Sequence, residues 1–267
     1  MIDFDLIRSW QRQAVAVLRV VVADAKGSTP RESGAFMLVT ETAQTGTIGG
    51  GQLEWDSLAR ARQILRGEAG REESRFVLGP QANQCCGGVV VIRYEPVFDL
   101  DAELRAIRAH RLSWPVLAVF GAGHVGRALI QAASLLPLSL RWIDPRADEF
   151  GTVPEGVRVC VTDDWEREIA SLKPGDGALV MTPSHTLDAL IVAAALERGD
   201  LAYVGLIGSR SKRRRFEAGF RDIGLSQAQI DTLVCPIGAQ GLRDKRPQII
   251  AAFVAAELAA RLVSRSD

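Results

Sequence analysis

Hydrophobic and polar positions change rhythm once along this chain. In the first third, apolar residues come in short β-rich runs separated by glycine turns. AVAVLRVVVAD at 14–24 and GAFMLVT at 34–40 read as strands, and KGSTPRESG between them is loaded with turn formers. TGTIGGG at 45–51 reads as another turn. The segment 52–68 then places Leu53, Leu58, Ala61 and Leu65 near one face with charges between them, which predicts an amphipathic helix. RFVLGP and GGVVVIRYEP supply further strands.

Beyond Glu95-Pro96, strands and helices alternate. DLDAELRAIRAHR predicts a polar linker helix. VLAVF, SLRWID, RVCVTD, GALVMT and AYVGLIG are short, continuously apolar strands, most with helical sequence after them. Strands buried on both faces and alternating with helices predict a doubly wound parallel sheet. The expected fold class is therefore α/β, with a C-terminal Rossmann-like sheet preceded by a smaller α+β domain. The expected boundaries are 1–96 for the N-terminal domain, 97–113 for the linker helix and 114–267 for the Rossmann-like domain. The closing run RPQIIAAFVAAELAARLV predicts a strongly apolar helix with Pro247 in its first turn. Such a helix packs in the core of the monomer, between domains, or at the interface of a homodimer.

Composition narrows the function classes. Of 267 residues, 47% are hydrophobic and 24% charged, as in ordinary globular proteins. Lysine plus arginine balance aspartate plus glutamate at 32 each, which leaves no electrostatic footprint for nucleic acid. The local exception, Arg210 with Lys212 to Arg215, reads as a solvated helix start. No stretch approaches the ~20 apolar residues that span a bilayer. The amphipathic N-terminus lacks the apolar core of a signal peptide. Four cysteines lack the spacing of a disulfide framework or a zinc site, so a reducing, cytoplasmic setting is expected.

Two constellations carry candidate chemistry. FGAGHVGRAL contains Gly121, Gly123 and Gly126 in G-x-G-x-x-G spacing after an apolar strand. The glycines permit a tight turn, close approach of a pyrophosphate, and helix-on-strand packing. Asp144, 18 residues after Gly126, stands where a ribose-binding acid is expected, and Arg146 beside it suits a 2′-phosphate. NAD(P) is the cofactor this turn would take. His124 lies in the turn, His110 in the linker, and His185 after a later strand, at the edge where such sheets bind ligands. No acid–base constellation for hydride transfer accompanies them.

The second constellation is QCCGG. Cys85 and Cys86 are followed by Gly87 and Gly88, which let backbone approach a bulky ligand and leave a sulfur exposed. Side chains of adjacent residues on an extended segment point to opposite faces, so one thiol packs inward while the other, expected to be Cys86, faces a cleft. The loops GSTPRESG and GTIGGG are rich in backbone N–H groups. They add Gly49, Gly50 and Gly51, and Arg31 as a fixed positive fork for phosphate or carboxylate.

GSTPRESGAFMLV, GTIGGGQLE, QCCGGVVVIRYEP, VFGAGHVGRAL, WIDPR, YVGLIGSRSKRRRF and CPIGAQGLRDKRP in series resemble the XdhC/CoxI family, from about residue 12 to 262. The resemblance implies a cofactor carrier and insertion chaperone, not an enzyme. It would bind the molybdenum cofactor (molybdopterin) while a cysteine desulfurase exchanges an oxo ligand for sulfido. It would then deliver the cofactor to the molybdenum-binding subunit of xanthine dehydrogenase. The family's CGG lands on Cys86, Gly87 and Gly88, and Cys86 becomes the candidate metal contact, since thiolate suits a thiophilic centre. Pro183 in MTPSH departs from the histidine expected there and leaves His185 alone. An NAD(P)-dependent oxidoreductase built on the Rossmann half is the alternative.

Overall fold

The computed structural model describes residues 2–68, 70, 73–79, 87–238 and 244–263. The chain divides into two compact units, Met1–Arg108 and Ala109–Asp267.

The first unit is built on one antiparallel sheet. Its strands are β1 (Val17–Lys26), β2 (Phe36–Val39), β3 (Gln44–Gly46), β4 (Glu73–Val77) and β5 (Val89–Val97), in the order β3-β2-β1-β5-β4. Its helices are α1 (Phe4–Arg12), α2 (Gly51–Leu65) and α3 (Leu100–Leu112), the last of which runs across the division between units. The two-residue period of a strand sorts side chains between two cores. Met37, Val39, Leu18, Val20 and Ile92 pack with Leu53, Leu58 and Ala61 of α2. Leu38 and Val17 point the other way, into a cluster with Phe4, Ile7 and Trp10 of α1 and Leu104 and Ile107 of α3. The segment expected as a linker helix thus contributes to a core of the first unit.

The second unit holds a wholly parallel sheet. Its strands are β6 (Val116–Phe120), β7 (Ser139–Ile143), β8 (Arg158–Cys160), β9 (Gly177–Val180), β10 (Tyr203–Leu206) and β11 (Leu233–Val234), in the order β11-β10-β9-β6-β7-β8. Its helices are α4 (His124–Ala133), α5 (Trp165–Ala170), α6 (His185–Arg198), α7 (Arg210–Asp222), α8 (Gln227–Asp231) and α9 (Pro247–Leu258). Along β6, Leu117 and Val119 enter one core while Ala118 and Phe120 enter the other. Both faces are covered, which is why these strands read as continuous apolar runs. One layer is α4 and α9, through Leu129, Ile130, Ala251, Val254 and Leu258. The opposite layer is α5 to α8, through Ile169, Ile191, Phe216 and Ile230. This is the expected Rossmann-like doubly wound sheet, and the strand order switches sides between β6 and β9, where such folds open a crevice at the strands' carboxyl ends.

Of the alternatives for the C-terminal helix, the monomer core claims one face of α9: Val254 and Leu258 are fully buried. The short strands β3 and β11 and the short helix α8 have too few residues to show a period in sequence. No described helix is long and apolar enough to cross a membrane.

Candidate functional site

In the first unit, the glycine loops expected from the sequence meet at one end of β1. Backbone hydrogen bonds from Val22 to Ala35 and from Gly34 to Val22, both 2.8 Å, close the base of the 27–34 loop. Leu78 donates to the Gly88 carbonyl at 2.8 Å, extending the pairing of β4 with β5. Gly88 is the contact point. A Cβ there would stand 2.5 Å from the Lys26 oxygen and 2.7 Å from the Ser28 oxygen, so only glycine lets these two backbones approach. On the other side of the same loop, a Cβ at Gly49 would lie 2.4 Å from Pro30 Cβ and 3.3 Å from Arg31 Cγ. The KGSTPR segment is therefore sandwiched between Gly88 and Gly49. Gly50 and Gly87 border open space, with nothing within 4 Å of an added Cβ. Cys85 and Cys86 lie outside the described residues.

Electrostatics at these loops differ from the expectation in one respect. Gly49, Gly50 and Gly51 all take positive φ (123°, 76° and 63°), which turns the backbone into α2. The amides of Ile48 and Gly50 donate to Glu54 Oε2 at 3.0 and 3.2 Å, and the Thr47 hydroxyl donates to the same oxygen. A carboxylate of the chain itself thus occupies donors expected to serve a ligand. Arg31 keeps an exposed guanidinium, 3.4 Å from Glu32 Oε1. The Glu32 carboxyl is held below the usual range, first by its own backbone amide and then by Arg31.

In the second unit, the G-x-G-x-x-G turn is assembled tightly beneath the crevice. Gly121, at φ 117°, leaves 2.4 Å between an added Cβ and the Met181 oxygen; at Gly126 the Gly121 oxygen would be 2.3 Å away. Trp142, buried in β7, donates its indole N–H to the Gly121 carbonyl at 3.1 Å and fixes the turn from below. Gly123, by contrast, borders open space and leaves the α4 N-terminus without a side-chain cap.

Asp144 is at the end of β7 as expected, but its oxygens are already bonded. Oδ2 accepts from the Ala122 amide and Arg146 Nη2, both at 2.8 Å, and Oδ1 accepts from the backbone N–H and Nε of Arg146, both at 2.9 Å. Burial alone would raise this carboxyl; the Arg146 guanidinium and the two amides outweigh it and hold it below the usual range. In this arrangement Asp144 ties β7 to the glycine turn. His124 turns along α4, with Nδ1 3.0 Å from Arg127 Nη2. Both line a cleft of about 660 Å³ with Gln131, Phe150, Thr152 and Gln248.

His185 opens α6 at the carboxyl edge of the sheet, exposed, with Nδ1 3.4 Å from Arg215 Nη2. Beneath it lies a pair that sequence reasoning missed. Asp188, fully buried, accepts from Lys212 Nζ at 2.6 Å and from the amide and hydroxyl of Thr182 at 3.0 and 2.8 Å. Lys212 also donates to the Ile207 carbonyl at 3.0 Å. The pair clamps the turns after β9 and β10 together. The basic run at 210–215 is thus not uniformly solvated: Lys212 is spent on Asp188, and Arg213 on Glu217 and the carbonyls of Leu233 and Cys235. Among the described residues, no three His, Cys, Asp or Glu side chains gather as a metal site.

An antiparallel α+β unit followed by a doubly wound parallel sheet with an intact glycine turn defines a two-unit protein of the Rossmann class. Residues 117–258 match the XdhC Rossmann domain, and residues 10–75 match the XdhC and CoxI family. The chain belongs to that family. It is similar to the uncharacterized protein YqeB of Escherichia coli (strain K12), at 27% identity over 248 residues, covering 89% of this chain and 42% of that one. The chain therefore spans about two fifths of that relative's length. Its fold is similar to the crystal structure of a xanthine dehydrogenase from Bacillus halodurans, with a TM-score of 0.79, 20% identity, and coverage of 100% and 97% of the two chains.

Proposed function

We propose that the protein is a molybdenum-cofactor carrier that serves as an accessory factor to xanthine dehydrogenase, holding the cofactor for sulfuration by a cysteine desulfurase and delivering it afterwards. One observation carries the reading. In a chain of the XdhC and CoxI family, the loops at 27–34, 46–51 and 87–88 gather at one end of β1 through approaches that only glycine permits. The described residues fit such a cargo: open space at Gly50 and Gly87, exposed backbone, and the Arg31 guanidinium for a phosphate. When bound, the cargo brings a metal that exchanges its terminal ligand. The chain's own part is to orient it, with Arg31 on the phosphate, glycine backbone against the ring system and Cys86 as the thiolate contact.

A second reading has its own support. Open space above Gly123 and the uncapped α4 N-terminus suit the pyrophosphate of NAD(P). For Asp144 to take a ribose hydroxyl, the Arg146 guanidinium must first release it.

Binding of freshly released molybdenum cofactor to the purified protein separates the two. The carrier reading expects retention by the wild type and by Gly123→Ala, with a loss of about tenfold or more in affinity for Arg31→Ala and Cys86→Ala. Retention that survives both loop substitutions, or no binding by any form, overturns it. Saturable NAD(P)H binding abolished by Gly123→Ala would instead favour the oxidoreductase.

A further inference from the structure

The first unit carries a cleft away from the glycine loops in sequence. α1 and α3 contribute Phe4, Ile7, Leu104 and Ile107 to one core cluster, and residues of both helices line this cleft of about 440 Å³. Arg8 and Arg12 line it from α1, and Arg105 and Arg108 from α3, with Leu104 between them. Asp101 is the one carboxylate in the lining. In a molecule whose formal charge is zero, this is a local positive excess.

The present partners of these arginines hold them weakly. Arg8 meets Asp5 at 3.1 Å and Arg105 meets Asp99 at 3.7 Å, both pairs well exposed to solvent. Exposed pairs of this kind contribute about 0–1 kcal/mol and exchange readily for other carboxylates. Arg108 lies over the Phe4 ring at 5.6 Å, which holds its guanidinium along the groove.

The spacing decides what fits. Arg8 and Arg12 stand one turn apart on α1, about 6 Å along the axis, and Arg105 and Arg108 about 4.5 Å apart on α3. The charges form two rows, not a point, and Leu104 offers an apolar floor between them. A single small anion would engage one end. A chain segment bearing several carboxylates would engage both rows, each guanidinium donating paired N–H bonds to a planar carboxylate.

We propose that this cleft docks an acidic segment, rich in Asp and Glu, of a partner protein. The proposal stands independently of the cofactor reading, because the cleft shares no residue with the loops. The test uses the full chain with a labelled oligoglutamate peptide followed by fluorescence anisotropy at low salt, with inorganic pyrophosphate titrated separately. Saturable peptide binding is expected, weakened about tenfold or more by Arg12→Glu/Arg105→Glu and by molar salt. The charge-matched control Arg66→Glu/Arg75→Glu, on exposed positions outside the cleft, should bind as the wild type does. Arg12→Ala/Arg105→Ala, which removes charge without introducing repulsion, should weaken binding with an unchanged far-UV spectrum and melting temperature. No peptide binding, equal weakening by the control, or pyrophosphate binding at the cleft without peptide binding each overturns the proposal; the last would make the cleft a small-anion pocket.

Discussion

Lys212 and Asp188 show how much one buried pair decides. Asp188 is fully buried and Lys212 nearly so, with every contact between them charge-assisted. Lys212→Ala would leave a carboxylate without its counter-ion in the interior. It should cost about 3–5 kcal/mol in urea unfolding, far more than an exposed-pair substitution such as Arg8→Ala. Asp144 makes the complementary point about pH. Its folded carboxyl lies below the unfolded value, so its stabilising contribution is complete above the ordinary aspartate range near pH 4. The contribution is lost as pH falls from there through the folded value. Stability measured between about pH 5 and pH 2 should therefore decline less steeply in Asp144→Asn than in the wild type. Neither role could be read from sequence. Asp144 looked like a ribose ligand because spacing places it at the right strand end, yet spacing says nothing of Arg146 closing over it. Asp188 and Lys212 are 24 residues apart in the chain, and only the folded sheet brings the starts of α6 and α7 together.

At the scale of elements, the sequence was far more legible. The strands of the second unit announce themselves because both faces are buried and no polar alternation interrupts them. The main strands of the first unit are visible through β-branched runs between glycine turns. Short elements escaped, since β11 spans two residues and β3 three. The C-terminal helix was legible as a helix but not in its destination, because an apolar helix suits any apolar partner. Its packing on α4 makes Leu258 a core residue, fully buried in the cluster with Leu129 and Ile130. Leu258→Ala should therefore cost about 2–5 kcal/mol in chemical denaturation without changing the elution volume on gel filtration. A shift to a smaller species would instead mean that Leu258 serves contacts between copies.

For the whole molecule, the candidate site divides into what a motif announces and what a fold assembles. The glycine loops at residues 27–34, 46–51 and 87–88 are separated by up to sixty residues in the chain, and each alone reads as an ordinary turn. β1 joins them, since it pairs with β2 on one side and β5 on the other and so brings the loops that flank those strands to one end. The sequence by itself determined the α+β character of the first part, the doubly wound parallel sheet of the second, the tight glycine turn at 121–126, and the family. These follow from local periodicity and from steric rules that act within a few residues. Tertiary structure alone decided which polar groups remain free for a ligand. Glu54 fills the amides of the second glycine loop, Arg146 fills Asp144, and Lys212 fills Asp188. It also drew the arginines of α1 and α3 into one cleft, though more than ninety residues separate Arg12 from Arg105. The physical reason is the same in each case. Hydrogen bonds and ion pairs depend on distances of about 3 Å between side chains, and such distances between remote residues exist only once the backbone has folded.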